Sequence, residues 1–315
     1  MKNAIITGAA GFVGRHTVDE FLAQGIEVLA VGRGECPAGF SERAGLSYLR
    51  CDVREQQSLL EAIPRGRYDT FVHLAWAGSA GGQRADCALQ MENAITAAEC
   101  VKAAKALGCQ RFVCAGSIME AEVEAAVHTQ GSRPALPYIY GMGKLASHCF
   151  CKAVAADVGI DLVWCVITNA YGAGELSPRF INTTLRKMIK GEPLTFTAAT
   201  QNYDFVYITE VARALYQASC NGKPFFEYVI GSGKARPLKE YILQMRDVCA
   251  PKSVPQFGSV PFTGTSLPLE AFSIEQLAAD TGFAPQVSFA EGVAKTAKWL
   301  CDIDGRKEEM DNARL

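Results

Sequence analysis

An α/β fold, with a parallel sheet covered by helices on both faces, is predicted by three features of this chain. Short apolar runs alternate with helical patterns through the first half, from residues 4–7 to residues 161–167. The glycine-rich stretch Thr7-Gly8-Ala9-Ala10-Gly11-Phe12-Val13-Gly14 joins the first apolar run to the first helical one. A hydrophobic content of 49% and a charged content of 20% over 315 residues give ordinary globular composition. Strands separated by helices require right-handed crossovers, which lay the strands parallel.

Each element follows from its pattern. Residues 4–7 form an apolar strand, and residues 14–24 a helix with Val18, Phe21 and Leu22 on one face. Strands are expected at 28–31 and 46–51, a helix at 55–63 and a strand at 70–74. A long alanine-rich helix covers 90–107, a strand 111–114, a helix 140–156 and a strand 161–167. No low-complexity linker interrupts the series, so residues 1–168 read as one wound domain. After Asn169 the pattern loosens: a helix at 180–190, a strand at 205–206, a helix at 210–219 and a strand at 227–230 that returns to the sheet. Residues near 203–231 therefore rejoin the core. Residues 169–202 and 232–301 read as a small lobe, the second segment carrying Pro251, Pro255, Pro261, Pro268 and two or three short helices. Residues 302–315 are highly charged and read as a frayed tail.

Composition narrows the partners. A net charge of -2 gives no electrostatic reason to expect nucleic acid or an anionic membrane. The apolar run after Met1-Lys2-Asn3 is too short for a leader or a span. The twelve cysteines are scattered, as at Cys114, Cys149, Cys165 and Cys220, and no Cys-x-x-Cys pair suggests zinc. The expectation is a cytoplasmic protein with reduced thiols and no metal site.

Gly8, Gly11 and Gly14 follow a strand and open a helix, the setting in which a glycine-rich turn holds a pyrophosphate. Gly8 permits the tight turn, Gly11 lets the anion approach the backbone, and Gly14 allows close helix–strand packing. The helix N-terminus offers unpaired N–H groups. This points to a Rossmann-type dinucleotide site. The second strand ends in Val31-Gly32-Arg33, without the acidic residue that binds the 2′-hydroxyl of NAD. Arg33 is suited to pair with a 2′-phosphate, so NADP(H) is the preferred cofactor and NAD(H) the alternative. Asp52, after the third strand, is placed either to accept from the adenine amino group or to cap a helix.

Tyr140-Gly141-Met142-Gly143-Lys144 sets a phenol and an ammonium four residues apart, one helical turn, on the same face. The ammonium stabilises the phenolate by Coulomb attraction, which is how a weak acid becomes useful for proton transfer.

Together these stretches resemble the extended short-chain dehydrogenase/reductase family, in particular its NAD(P)-dependent sugar epimerases, dehydratases and 4-ketoreductases. The resemblance also rests on Cys51-Asp52-Val53, Val72-His73-Leu74-Ala75, Asn93, Ser117 and Thr168-Asn169-Ala170-Tyr171-Gly172. Later landmarks are Tyr203-Asp204-Phe205-Val206-Tyr207 and Val287-Ser288-Phe289-Ala290-Glu291-Gly292. It implies that Tyr140 donates or accepts the proton and that Ser117 hydrogen-bonds the same substrate oxygen. It further implies that Lys144 holds the nicotinamide ribose. Phe12, Val13, Val53, Leu74, Ala75 and Trp76 would line the cofactor, and Asn169, Arg179 and Phe180 would contact substrate. His73 reads as a structural residue at a strand end. The small lobe would bind the substrate. Helices near 90–107 and 140–156 would form a homodimer.

Two departures bear on the reaction. Related 4,6-dehydratases carry Asp-Glu directly after the Ser/Thr, where this chain has Ile118-Met119, so water loss is not expected. Glu120, one residue later on a strand-like stretch, would point the other way. Relatives often place an arginine against the substrate diphosphate where this chain has Tyr203, and none stands near residues 267–270. Arg179, with Arg186 or Lys187, is the substitute. The leading expectation is NADPH reduction of the keto group of a nucleotide-linked deoxysugar. A 4-epimerase using the same three residues is the alternative, followed by a non-catalytic dinucleotide-binding protein.

Overall fold

The structure, a computed structural model, describes residues 1–312. The chain runs β1 (Asn3–Thr7), α1 (Phe12–Ala23), β2 (Glu27–Gly32), β3 (Leu46–Arg50), α2 (Gln56–Ala62), β4 (Thr70–His73), α3 (Cys87–Ala106) and β5 (Arg111–Ser117). It continues through α4 (Met119–Val127), α5 (Tyr138–Val158), β6 (Asp161–Ile167), β7 (Asn169–Tyr171), α6 (Phe180–Lys190), β8 (Asn202–Tyr203) and β9 (Phe205–Tyr207). The last elements are α7 (Ile208–Asn221), β10 (Phe226–Ile230), β11 (Arg236–Pro237), α8 (Leu238–Cys249), α9 (Glu275–Thr281) and α10 (Phe289–Asn312).

Seven strands form one sheet in the order β10-β6-β5-β4-β1-β2-β3, and every neighbouring pair is parallel. This is the doubly wound Rossmann arrangement. Ile6 faces one core with Val18 and Phe21 of α1, while Ile5 faces the other with Ala97 and Val101 of α3. Successive side chains on a strand point to opposite faces, so a sheet covered on both sides is apolar at every position. Strand order reverses between β1 and β4. The C-terminal ends there open a crevice, into which Thr7, His73 and Ser117 bring the ends of β1, β4 and β5.

The glycines flanking Met142 serve packing. A Cβ on Gly143 would lie 2.9 Å from Gln90 Cβ and 3.0 Å from its carbonyl oxygen. One on Gly141 would lie 2.6 Å from the Met119 carbonyl oxygen. Bare backbone at both positions lets α5 press against α3 and α4, which fixes where Tyr140 and Lys144 emerge.

The structure departs from expectation in three places. The strand ending near Cys114 runs on to Ser117 and is followed at once by α4, which strand-like patterning had concealed. Glu120 thus lies in the first turn of a helix and folds back on β5. Residues 302–312 continue α10, and Asp304 pairs with Arg186 of α6. Residues 313–315 of the expected tail lie outside the described residues. Segment 169–202 supplies β7 and α6, and segment 232–301 supplies β11, α8 and α9; from the returning stretch β9 pairs with β7 outside the main sheet, while β10 joins it.

Candidate active site

The turn after β1 is shaped by contacts that exclude side chains. Gly8 has φ +67°, and a Cβ there would lie 2.7 Å from the Ala75 nitrogen. A Cβ on Gly14 would lie 2.1 Å from the Gly8 carbonyl oxygen. Gly11 caps α1 without a side-chain bond, so the first-turn N–H groups remain available to an anion. Bare backbone, a helix N-terminus and a crevice at the strand reversal together fit a dinucleotide.

At the end of β2, the space beside Gly32 belongs to Tyr48, whose hydroxyl donates to the Gly34 carbonyl at 2.9 Å. A Cβ on Gly32 would lie 2.7 Å from that hydroxyl. Arg33 is exposed at the rim. Asp52 is engaged by Arg54, through its backbone N–H at 3.1 Å and its guanidinium at 2.6 Å. Those hydrogen bonds to Arg54 hold the Asp52 carboxyl below the usual carboxylate range. Asp52 makes this local turn rather than capping α2, whose cap is Glu55.

Tyr140 and Lys144 project from α5 and are both buried. Lys144 donates to the Ala115 carbonyl at 2.7 Å, and its ammonium lies 3.7 Å from the centre of the Trp76 ring. Trp76 meets Tyr140 edge-on at 6.2 Å and donates its indole N–H to Gln90 at 2.8 Å. Asn93 clamps the same loop, accepting from the Ala77 N–H at 3.0 Å and donating to its carbonyl at 2.9 Å. Ser117 is buried at the end of β5, its hydroxyl accepting from the Met119 N–H at 3.3 Å.

Behind Ser117, the Glu120 carboxylate accepts from the Ser117 N–H at 2.7 Å and from the Trp164 indole at 3.1 Å. His148 lies 3.3 Å from it and stacks on Trp164. Glu120 therefore fills the space above Gly116 as a brace, not as an acid facing substrate. His73 is fully buried and bonded through Nδ1 to Thr7 at 3.0 Å. Burial, aided by Lys144, lowers its pKa to about 3, so it is neutral, as a structural histidine should be.

One cavity of about 630 Å³ collects these groups. Gly8, Gly11, Phe12, Val13, Gly14, Arg33, Asp52, Val53, Leu74, Ala75, Trp76, Ser117, Tyr140, Lys144 and Arg179 all line it. Asn169 and Phe180 do not. Asn169 donates to the Asp204 carbonyl at 3.1 Å, and Phe180 packs among Phe196 and Phe205. Arg179 lies 3.2 Å from Glu175, and Tyr203 stacks on Phe205.

Sequence reasoning missed Arg84 and Glu122. Arg84 sits in a single helical turn at Gly81–Ala85, its guanidinium 4.4 Å from the centre of the Tyr140 ring. Burial pulls it below the ordinary arginine range. Glu122, in the first turn of α4, has its carboxyl pushed up to about 7 by burial, which Arg84 opposes. Neither residue belongs to a recognisable motif.

A profile of the NAD dependent epimerase/dehydratase family matches residues 4–231. The chain belongs to that family. As a member it is an enzyme of the extended short-chain dehydrogenase/reductase type, dependent on a nicotinamide dinucleotide. It is 24% identical to a dTDP-4-dehydro-6-deoxyglucose reductase of Escherichia coli, over 94% of this chain and 97% of the relative. It is 22% identical to a dTDP-glucose 4,6-dehydratase of Actinoplanes, over 94% and 96%. The Bordetella bronchiseptica enzyme WbmF, solved with NADH, superposes with a TM-score of 0.78 at 21% identity, covering 99% of this chain and 96% of that one. Among the described residues of this family member, no helix is long and apolar enough to cross a membrane.

Proposed function

We propose that this enzyme reduces the keto group of a nucleotide-linked deoxysugar, with NADPH as reductant. The observation that carries the reading is the convergence of Ser117, Tyr140 and Lys144 on the cavity that also holds the glycine turn. Gly8, Gly11 and Gly14 with the α1 N-terminus would hold the pyrophosphate, and Arg33 a 2′-phosphate. Bound there, the dinucleotide supplies the hydride that the carbonyl carbon receives.

The chain's own groups manage the oxygen. Ser117 hydrogen-bonds the carbonyl oxygen and orients it. Tyr140 gives that oxygen its phenolic proton and recovers one from solvent. Lys144 places positive charge beside the phenolate as it forms, in a buried site where that charge counts for more than in water.

Two features support reduction over dehydration. Ile118 is buried and Met119 begins α4, so no carboxyl stands at either position. Glu120 is committed to Ser117 N–H and Trp164. Gly32, its flank closed by Tyr48, and the exposed Arg33 support NADP(H) over NAD(H). The helices α3 and α5 pack together and expose Met91, Ile95 and Phe150, which supports a homodimer through this pair, to be checked by analytical ultracentrifugation.

The deciding experiment follows NADPH absorbance with 4-keto nucleotide deoxysugars, and in parallel assays the cofactor carried through purification. Turnover of free NADPH supports the reductase. Retained, non-exchanging NAD with no NADPH oxidation would instead support a 4-epimerase.

A further inference from the structure

We infer that Arg84, lying over the Tyr140 ring, receives an anionic oxygen of the substrate, with Glu122 nearby as the residue that limits how much negative charge the site takes. The inference deepens the nucleotide-sugar reading and rests on it.

Arg84 is half-buried, and among the described residues its guanidinium makes no ion pair; its one hydrogen bond is a 3.3 Å contact to the Ser79 carbonyl. It is nonetheless held in place, lying 4.4 Å over the face of the Tyr140 ring. The turn that carries it is pinned from α3, since Gln90 donates to the carbonyls of Gly78 at 3.1 Å and Gln83 at 3.0 Å. A desolvated guanidinium without a counter-charge is costly unless something pairs with it. The nearest acids do not. Glu175 is engaged by Arg179 and Ser177, and Glu122 stands within electrostatic reach of Arg84 but beyond ion-pair distance. Tyr203 and Arg179 are also within electrostatic reach of Arg84, whose guanidinium covers one face of the Tyr140 ring at the edge of the cavity that Tyr140 lines.

A substrate whose oxygen meets Tyr140 would bring its neighbouring groups close to the guanidinium that lies over that ring. A guanidinium presents a fork of N–H donors matched to carboxylate or phosphate oxygens. Two sources fit this chemistry: a carboxylate on the sugar ring, or the phosphate joined to it.

The test is calorimetric titration of the full chain, saturated with NADP⁺, with UDP, UDP-glucose, dTDP-glucose and UDP-glucuronic acid. Arg84→Met is expected to weaken anion binding at least tenfold, while NADP⁺ affinity, which reports folding, stays within twofold. Loss confined to UDP-glucuronic acid identifies a sugar carboxylate. Equal loss across all four ligands identifies the phosphate. Arg84→Lys, which keeps the charge and loses the fork, should fall between, and Glu122→Gln should tighten whichever ligand Arg84→Met weakens. If Arg84→Met leaves all four within twofold, the inference is overturned. If the unaltered protein binds NADP⁺ but none of the four, the nucleotide-sugar reading fails separately. Inorganic phosphate then decides: thermal protection that Arg84→Met removes supports an anion site at Arg84, and its absence in the unaltered protein overturns it.

Discussion

The ammonium of Lys144 rests 3.7 Å from the centre of the Trp76 ring while donating to the Ala115 carbonyl. Trp76 in turn is tied to Gln90 and touches Tyr140 edge-on. The cation is thus held beside the phenol by a ring face and a carbonyl. Trp76→Phe keeps a weaker ring face and loses the Gln90 bond, and is expected to lower kcat about three- to tenfold, the scale of a cation–π contact of about 1 kcal/mol. Tyr140→Phe should lower turnover by about 100-fold or more while leaving NADPH affinity within about twofold. Steady-state kinetics with a fluorescence titration of NADPH separates the two effects, and a Tyr140→Phe enzyme at full rate would eliminate the proposed acid.

Arg33 carries the cofactor prediction. Arg33→Ala should weaken NADPH by about 2 kcal/mol, the scale of a charge-assisted pair, and NADH by far less. Dissociation constants for both cofactors check it; equal losses would reject the contact with a 2′-phosphate.

Stability should fall on both sides of a mid-range pH. Burial, then Lys144, lowers the His73 pKa from 6.5 to about 3, so the native state binds fewer protons than the unfolded chain between those values. Its contribution is complete above pH 6.5 and is lost as pH falls toward 3, to the extent of about 4 kcal/mol. Glu122 acts in the opposite direction. Burial raises its pKa from 4.5 to about 7, so its contribution is complete below pH 4.5 and is lost as pH rises through 7, by about 3 kcal/mol. Denaturant unfolding across this range should show Glu122→Gln flattening the upper limb alone and His73→Asn the lower limb alone.

Gly143 is predicted to be intolerant of even a methyl group. Gly143→Ala places a Cβ 2.9 Å from Gln90, whose side chain and carbonyl cannot retreat without releasing Trp76 and the Gly78 turn. Overpacking of this kind costs about 1–3 kcal/mol. Thermal unfolding should show the loss. Turnover should fall further than stability, because Trp76 positions Lys144.

The wound core was legible because burial on both faces forces apolar strands, and a pyrophosphate turn needs glycine for steric reasons that Gly8 and Gly14 display. Strand β6 and helix α6 fall where their patterns put them. The start of α4 was overlooked because Ile118-Met119 continues an apolar strand, although Ser117-x-x-Glu120 has the spacing of a capping box and Glu120 accepts from the Ser117 N–H. The setting of Arg84 was not legible. Its meaning depends on Tyr140 lying beneath it, a contact between residues 56 positions apart that no local spacing records. Asn169 and Phe180 sat in recognisable stretches, yet their side chains serve the Asp204 backbone and an aromatic cluster.

Tyr48 leaning on Gly32 has a consequence for how this enzyme's descendants can change. Installing a carboxylate at position 32 alone, the simplest route toward binding a ribose hydroxyl, drives its Cβ into the Tyr48 hydroxyl. Removing Tyr48 alone gives up its bond to the exposed Gly34 carbonyl and its edge-on contact with Phe40. The first step is therefore unfavourable until Tyr48 has been replaced. A laboratory selection for altered cofactor preference should accordingly recover substitutions at 32 and 48 together.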